Sequence, residues 1–268
     1  MNRFDGIKDF GMPTLIENKN LEETASLCSE LGLSFVELNM NLPDYQTEKL
    51  EGIQYFMNMA EKYNIYFTIH LDENFNISDF NRLVADAYMR TAARTIEAAG
   101  KLHVPVINMH MNHGVYFTLP DKRVQLFEEY NKEYMHSFKE FRKMCEEMCG
   151  DSIKICVENT DGFRDYEKEA VCLLLESDVF ALTWDIGHSH ECGNIDEEFI
   201  KGNAEKLCHF HIHDAAGKKN HLTLGSGEIN IAERLQTASE HKCRCVIETK
   251  TVESLKQSVQ WLRNNKFM

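Results

Sequence analysis

Six side chains that can bind a metal ion or transfer a proton each stand at the end of a short apolar run. They are His70, His110, Glu158, Asp185, His211 and Glu248. The runs that precede the first three are IYFTIH, VPVINMH and IKICVE. Carboxylates and imidazoles serve general acid–base chemistry, and together they form the mixed oxygen and nitrogen ligand sets of Mn²⁺, Zn²⁺, Co²⁺ or Mg²⁺. Their recurrence at the ends of apolar runs indicates a shared site.

The apolar runs belong to a regular alternation of short apolar segments with longer amphipathic ones. Eight apolar segments, from IKDFGM to CRCVIE, alternate with helical patterns such as NLEETASLCSELG and VESLKQSVQWLRNN. Eight strands that alternate with helices predict either a closed barrel or a doubly wound sheet. Because no G-x-G-x-x-G follows the first strand, we expect an α/β fold, a single (β/α)8 TIM barrel domain over residues 1–268.

Side-chain alternation along each predicted strand places the six polar residues on one side of the sheet. Apolar residues such as Phe67, Met109 and Trp184 have the opposite parity and are predicted to face the helices. The six then point toward the barrel axis at its carboxyl end, where TIM barrel enzymes carry their active sites. Several carboxylates without an arginine partner repel one another, so a divalent cation is expected between them. The alternative is a barrel end that is simply polar.

Charge and composition narrow the classes of function. The chain has 268 residues, is 43% hydrophobic and carries a formal charge of −14, which disfavours binding to phosphate backbones or anionic membranes. It contains no apolar run long enough to span a membrane and no export signal pattern, so we expect a cytoplasmic protein that binds neither nucleic acid nor membrane. The nine cysteines form no C-x-x-C motif and are predicted to be mostly small core residues.

Four segments resemble the xylose isomerase-like barrel superfamily, which includes sugar phosphate isomerases and epimerases and endonuclease IV. In chain order they are VENTDGF, TWDIGHSHECG, HFHIHDAAGKKNHLTLGSGEI and VIETK. The resemblance implies a single-metal site formed by Glu158, Asp185, His211 and Glu248, with Mn²⁺ the expected ion and Zn²⁺, Co²⁺ or Mg²⁺ as alternatives. It also implies that His188, three residues after Asp185, contacts the substrate.

The endonuclease IV branch of this superfamily has two further zinc positions. His70 and His110 match one of them together with Glu158, so a second metal ion there is an open alternative. His188 and His221 match part of the other, but Lys219 stands where that branch has an aspartate ligand. A lysine would repel the ion, so the resemblance favours one metal ion and leaves a ligand role for His221 open.

The resemblance implies a metal-dependent isomerase or epimerase of a sugar or sugar phosphate. In this mechanism Glu158 and Glu248 act as acid and base through a metal-bound cis-enediolate. A dehydratase (lyase) of an inosose- or dehydroshikimate-type substrate would use the same intermediate and stays an alternative. An endonuclease IV-like DNA phosphodiesterase and a non-catalytic sugar-binding barrel also stay open. The superfamily makes a homo-oligomer possible, although nothing in this sequence specifies one.

Further residues near the predicted barrel mouth are candidates for contact with the substrate. They are His70, His110, Glu37 and Lys219. His213 shares the strand parity of His211 and is a candidate to orient a metal ligand. The glycines of the GSG segment, Gly225 and Gly227, either bind an anion through backbone N–H groups or form a turn before the last helices.

Overall fold

Eight parallel strands close into a barrel in the computed structural model, which describes residue 4 and residues 6–268. The strands are Asp9–Pro13 (β1), Phe35–Asn39 (β2), Tyr66–His70 (β3), Val106–His110 (β4), Lys154–Glu158 (β5), Phe180–Asp185 (β6), Leu207–Ile212 (β7) and Arg244–Ile247 (β8). Each strand is hydrogen-bonded to its neighbours in chain order, and β1 pairs with β8. The predicted TIM barrel is confirmed. Residues 1–3 and 5, which the predicted domain includes, lie outside the described residues.

Amphipathic helices form the outer layer between successive strands. The longer ones are Leu21–Glu30, Ile53–Tyr63, Arg82–Lys101, Asn131–Met148, Asp165–Leu175, Ile231–Glu240 and Val252–Asn264. The short helices are Thr47–Leu50, Leu126–Glu129, Ile186–Glu191 and Glu197–Gly202, with 3₁₀ turns at Pro43–Tyr45 and Ala204–Lys206. Side-chain caps define several starts: Asn20, Asn81 and Thr251 each accept a hydrogen bond from a backbone N–H in the first turn. Among the described residues, no helix combines the length and apolarity needed to cross a bilayer.

Two short antiparallel hairpins extend beyond the carboxyl end of the barrel. The first, Tyr116–Thr118 with Arg123–Gln125, follows β4, and the second, Asp214–Ala216 with Lys219–Leu222, follows β7. Both hairpins belong to loops at the end where TIM barrels carry their active sites.

Side chains on the two faces of the barrel strands differ in chemistry, as predicted. Trp184 is fully buried on the outer face, 5.7 Å from the ring of Phe210 and beneath the guanidinium of Arg234 in the helix Ile231–Glu240. The inner face is polar toward its carboxyl end. Parallel pairing places His110 level with Glu158 and Asp185 level with His211. The strand ends therefore bring the six predicted residues to one region.

Candidate functional site

Four of the six strand-end side chains meet in one cluster: Glu158, Asp185, His211 and Glu248. One potential ligand atom of each lies within 4.8 Å of the others. Nδ1 of His211 is 3.1 Å from Glu158 Oε1, 3.0 Å from Glu248 Oε2 and 3.8 Å from Asp185 Oδ2. The structure thus brings together the four residues predicted as ligands of one metal ion.

The cluster is strongly negative, and its composition fits a divalent cation. Burial alone would raise the pKa of Glu158 and lower the pKa of His211, but their attraction holds the pKa of Glu158 well below and that of His211 well above its usual value. One imidazolium offsets only part of the charge of three carboxylates. Oε2 of Glu248 is buried and has no hydrogen-bond partner, since Nδ1 of His211 bonds to Glu158. This oxygen is available as a ligand atom.

Two of the four cluster residues are held from behind by polar side chains. Asn108 donates a hydrogen bond to Glu158 Oε2 and accepts one of 2.6 Å from Thr183. Nε2 of His213 lies 3.1 Å from Asp185 Oδ1, so this candidate to orient a ligand contacts one of the four cluster residues. Contacts of this kind fix the rotamers and protonation of metal ligands.

Lys250 is a site residue that the sequence interpretation did not single out. Its Nζ donates a 2.9 Å hydrogen bond to Glu248 Oε1, and both side chains line the cavity. Burial would raise the pKa of Glu248, but the charges of His211 and Lys250 hold it well below its usual value. Asn108 was missed too. Asn108 stands two residues before His110 in β4, so both side chains point to the same face of the sheet. This shared parity is the signal that could have identified it.

Glu37 lies one layer below the cluster and contacts His211, which corrects the prediction that it lines the barrel mouth. Glu37 stands two residues before the end of β2 and is level with Thr68 in the sheet. The residue of β2 that lines the cavity is Asn39, at the end of the strand. Oε2 of Glu37 is 2.9 Å from His209 Nε2, and its Oε1 is 2.8 Å from His211 Nε2, without hydrogen-bond alignment. The Glu37 carboxylate favours a proton on Nε2 of His211, which leaves Nδ1 to the cluster.

We expect the substitution Glu37→Gln to weaken binding of Mn²⁺ by about 10- to 100-fold. Glutamine keeps the size of the side chain but removes the charge that orients His211. Titration calorimetry with Mn²⁺ measures the affinity, and Glu30→Gln, at an exposed helix position, is the matched control. An unchanged affinity in the Glu37 variant would contradict this role.

A cavity of about 450 Å³ opens above the cluster. Its lining includes six of the histidines and glutamates named above: His70, His110, Glu158, His188, His221 and Glu248. Three of the predicted substrate-binding residues therefore reach it. Lys219 does not: it is exposed on the hairpin strand Lys219–Leu222, because the hairpin carries it away from the cavity lining. Asp185 and His211 also lie outside the lining, so Glu158 and Glu248 are the cluster members that face the cavity.

A second group of potential ligands adjoins the cluster. Nε2 of His70 and Nε2 of His110 are each 3.2 Å from Glu158 Oε2, and the three residues could hold an ion together. The structure thus groups the residues predicted for a second metal ion, and the ion itself stays a prediction.

The histidines His188, His213 and His221 form a third group. Nδ1 of His213 accepts a 2.8 Å hydrogen bond from the backbone N–H of His221, and its Nε2 contacts Asp185. Both ring nitrogens of His213 are therefore occupied by the protein. His221 stacks on His213 at 4.2 Å between ring centroids and lines the cavity, which favours a packing or substrate-contact role over metal ligation.

His113 lies at the rim of the cavity and gives the fold a pH-dependent contact. Nδ1 of His113 is 2.5 Å from Glu167 Oε1, and its Nε2 contacts Asp161. Burial would lower the pKa of His113, but hydrogen bonds to the two carboxylates raise it to about 9. Since this value exceeds the unfolded value of about 6.5, the contact stabilises the fold fully below about pH 6.5, and this stabilisation is lost as the pH rises through 9.

We therefore expect His113→Gln to lower the free energy of unfolding by about 1 to 2 kcal/mol more at pH 6 than at pH 10, after allowance for solvent screening. Urea unfolding at both pH values measures the difference. His136→Gln, at an exposed helix position, is the matched control. Equal destabilisation at both pH values would mean that the charge on His113 does not stabilise the fold.

The barrel and the cluster at its carboxyl end define an α/β barrel with a candidate metal centre. The family model of the xylose isomerase-like TIM barrel matches residues 25–265. The chain belongs to this family, as the sequence resemblance implied.

Individual proteins are also similar to this chain. An uncharacterized protein of Methanocaldococcus jannaschii is 27% identical over 201 residues, which cover 71% of this chain and 66%, just under two thirds, of the relative. The structure of a D-tagatose 3-epimerase-like protein matches with a TM-score of 0.75 and 23% identity over 96% of each chain. That of an IOLI protein with a bound zinc atom matches with a TM-score of 0.74 and 16% identity over 97% of this chain and 99% of the other. At these identities the structural likeness concerns the fold.

Proposed function

We propose that this protein is a metal-dependent sugar isomerase or epimerase, and that epimerisation of a ketose is the reaction its site fits best. One observation carries the proposal: Glu158 and Glu248 belong to the four-residue cluster and also line the cavity. They approach Nδ1 of His211 from β5 and from the end of β8, at 3.1 and 3.0 Å. Two carboxylates from different strands suit inversion, which needs a proton acceptor and a donor on opposite faces of one carbon.

The ligands we propose for one divalent cation are Glu158, Asp185, His211 and Glu248. Three carboxylates and one imidazole suit Mn²⁺, our first choice, and also Zn²⁺, Co²⁺ and Mg²⁺. The unpartnered Oε2 of Glu248 supports this assignment. When bound, the cation would polarise a ketose carbonyl and acidify the neighbouring C–H bond.

Side chains of the protein would carry out proton transfer and bind the substrate. One glutamate, Glu158 or Glu248, removes the proton from the substrate carbon, and the other returns a proton to the opposite face. The charges of His211 and Lys250 lower the pKa of Glu248 and so favour the carboxylate form that can accept a proton. Asp185 and His211, which do not line the cavity, hold the cation and orient the two glutamates. His188 at the wall of the cavity would donate to a sugar hydroxyl.

A deuterium exchange experiment tests this function directly. The Mn²⁺-loaded protein is incubated in D₂O with a panel of ketoses and ketose phosphates, and NMR follows each C–H signal. We expect one carbon next to the carbonyl to gain deuterium, and the epimer at that carbon to accumulate. No exchange at any carbon of any substrate would contradict the proposal.

A further inference from the structure

The loop that would bind a substrate phosphate is filled by the side chain of the protein's own Asp214. TIM barrels commonly bind phosphate with the loops after strands seven and eight and a helix N-terminus. Here the loop after β7 contains Gly225 and Gly227, whose N–H groups donate to Asp214 Oδ2 at 2.9 and 2.8 Å. Ile229 donates to Asp214 Oδ1 at 3.2 Å, and Asp214 is 1% exposed. The sequence left open that backbone N–H groups of the GSG segment bind an anion. In the structure they donate to a carboxyl group of the protein itself.

The fit between this loop and Asp214 leaves no room for another anion. A Cβ atom added to Gly227 would lie 2.4 Å from Asp214 Oδ1 and 2.3 Å from the carbonyl oxygen of Ala215. A phosphate group is far larger than a methyl group. The loop can therefore receive a phosphate only if Asp214 leaves it.

The cavity itself is also poorly suited to a phosphate. Among the described residues that line it, Lys250 is the one lysine or arginine, and its ammonium is bonded to Glu248 at 2.9 Å. Glu73 adds a further carboxylate to the wall beside Glu158 and Glu248. A dianionic phosphate would face these carboxylates, and the cations of the lining, Lys250 and His113, are already paired with carboxylates of the protein.

A second cavity of about 380 Å³ adjoins the first, because Thr160 and His188 line both. The rest of its lining is Asp161, Glu191, Cys192 and Lys218. Carboxylates and an ammonium supply hydrogen-bond acceptors and donors for hydroxyl groups. The first cavity, at about 450 Å³, already falls in the range of sites for drug-sized ligands, so the two together exceed the needs of one sugar ring.

We propose that the substrate is an uncharged saccharide of more than one ring, whose second ring occupies the cavity lined by Thr160 and Lys218. This inference rests on the proposed function for the reaction at the first ring. It adds that phosphorylated sugars are poor substrates and that the neighbouring ring contributes to binding.

Three probes separate the inference from the function on which it rests: fructose, fructose 6-phosphate and the neutral ketose disaccharide lactulose. With the Mn²⁺-loaded full chain in D₂O, we expect kcat/KM for exchange to be highest for lactulose and KM for fructose 6-phosphate to be at least about tenfold above that for fructose. A KM for the phosphate below that of fructose, or a lower kcat/KM for lactulose than for fructose, would overturn the inference and leave the proposed function intact.

Absence of exchange with all three probes would instead count against the proposed function. Saturation-transfer NMR would then compare the binding of the same sugars. Tighter binding of lactulose than of fructose would support the inference, and equal or weaker binding would overturn it.

Filling the second cavity gives an independent test. The substitution Cys192→Trp is expected to raise KM for lactulose at least about tenfold more than KM for fructose, because the indole would occupy the space of the second ring. Cys172→Trp, at an exposed helix position, should change neither. Circular dichroism checks that both variants fold. If either variant does not fold, the comparison of lactulose with fructose on the unmodified chain decides whether the inference holds. Equal increases for both sugars would contradict the assignment of this cavity.

Discussion

Glu158→Gln is expected to lower the rate of epimerisation by about 10²- to 10⁴-fold, the usual contribution of a general acid or base. Glutamine has the same shape and keeps one oxygen toward the cluster, but it cannot accept a proton. The rate is measured by NMR with a ketose at saturating Mn²⁺. Since Glu158 is also a proposed ligand, metal binding to the variant is titrated in parallel, so that loss of the ion and loss of the base are distinguished.

The companion variant Glu248→Gln gives the sharper result. If the two glutamates serve opposite faces of the carbon, this variant should lose epimerisation to a similar extent yet still exchange the proton of one epimer with D₂O through Glu158. Glu147→Gln, at an exposed helix position, is the matched control and should keep full activity. Epimerisation at the original rate in both site variants would rule out the two-base mechanism.

The main elements of the site could be predicted from the sequence because of two regular features of a barrel. Alternation along a strand decides which side chains point inward, and parallel strands of a closed barrel end at one rim. His110 and Glu158 lie level in the sheet for this reason, as do Asp185 and His211. A residue at the end of an inward-facing row could therefore be placed at the rim without knowledge of any contact.

Depth within the barrel could not be predicted in the same way. Glu37 has the inward parity of the rim residues, but it stands two residues before the end of β2 and lies level with Thr68. That offset turns a candidate for substrate contact into a partner of His211. Strand ends are uncertain by a few residues in a sequence interpretation, and one step of two residues moves a side chain by a whole layer.

Loop contacts were equally beyond the reach of sequence patterns. Nothing local in the GSG segment specifies that Gly225 and Gly227 donate to Asp214, eleven and thirteen residues earlier in the chain. Lys219 likewise depends on a hairpin whose strands pair only after β7 has ended. Such contacts are set by the tertiary fold. The strands and helices, in contrast, were predicted from hydrophobic patterns between neighbouring residues of the sequence.

Removal of the divalent cation is expected to stop substrate exchange and to lower the midpoint of thermal unfolding by on the order of 10 °C. An ion present at 1,000 times its dissociation constant stabilises the folded state by about 4 kcal/mol, and each kcal/mol shifts the midpoint by about 2–4 °C in a chain of this size. The physical source of the effect is the repulsion among Glu158, Asp185 and Glu248, which lie within one cluster. Differential scanning fluorimetry of samples with Mn²⁺ or EDTA measures the shift.

The variant Asp185→Asn shows whether the shift arises at this cluster. It removes one ligand carboxylate from a fully buried position, so Mn²⁺ should raise its midpoint far less than that of the unmodified protein. Asp44→Asn, at a position away from the cavity, should keep the full shift. An equal response to Mn²⁺ in the Asp185 variant would place the stabilising ion elsewhere, because a site that loses one of its three carboxylates cannot keep its affinity unchanged.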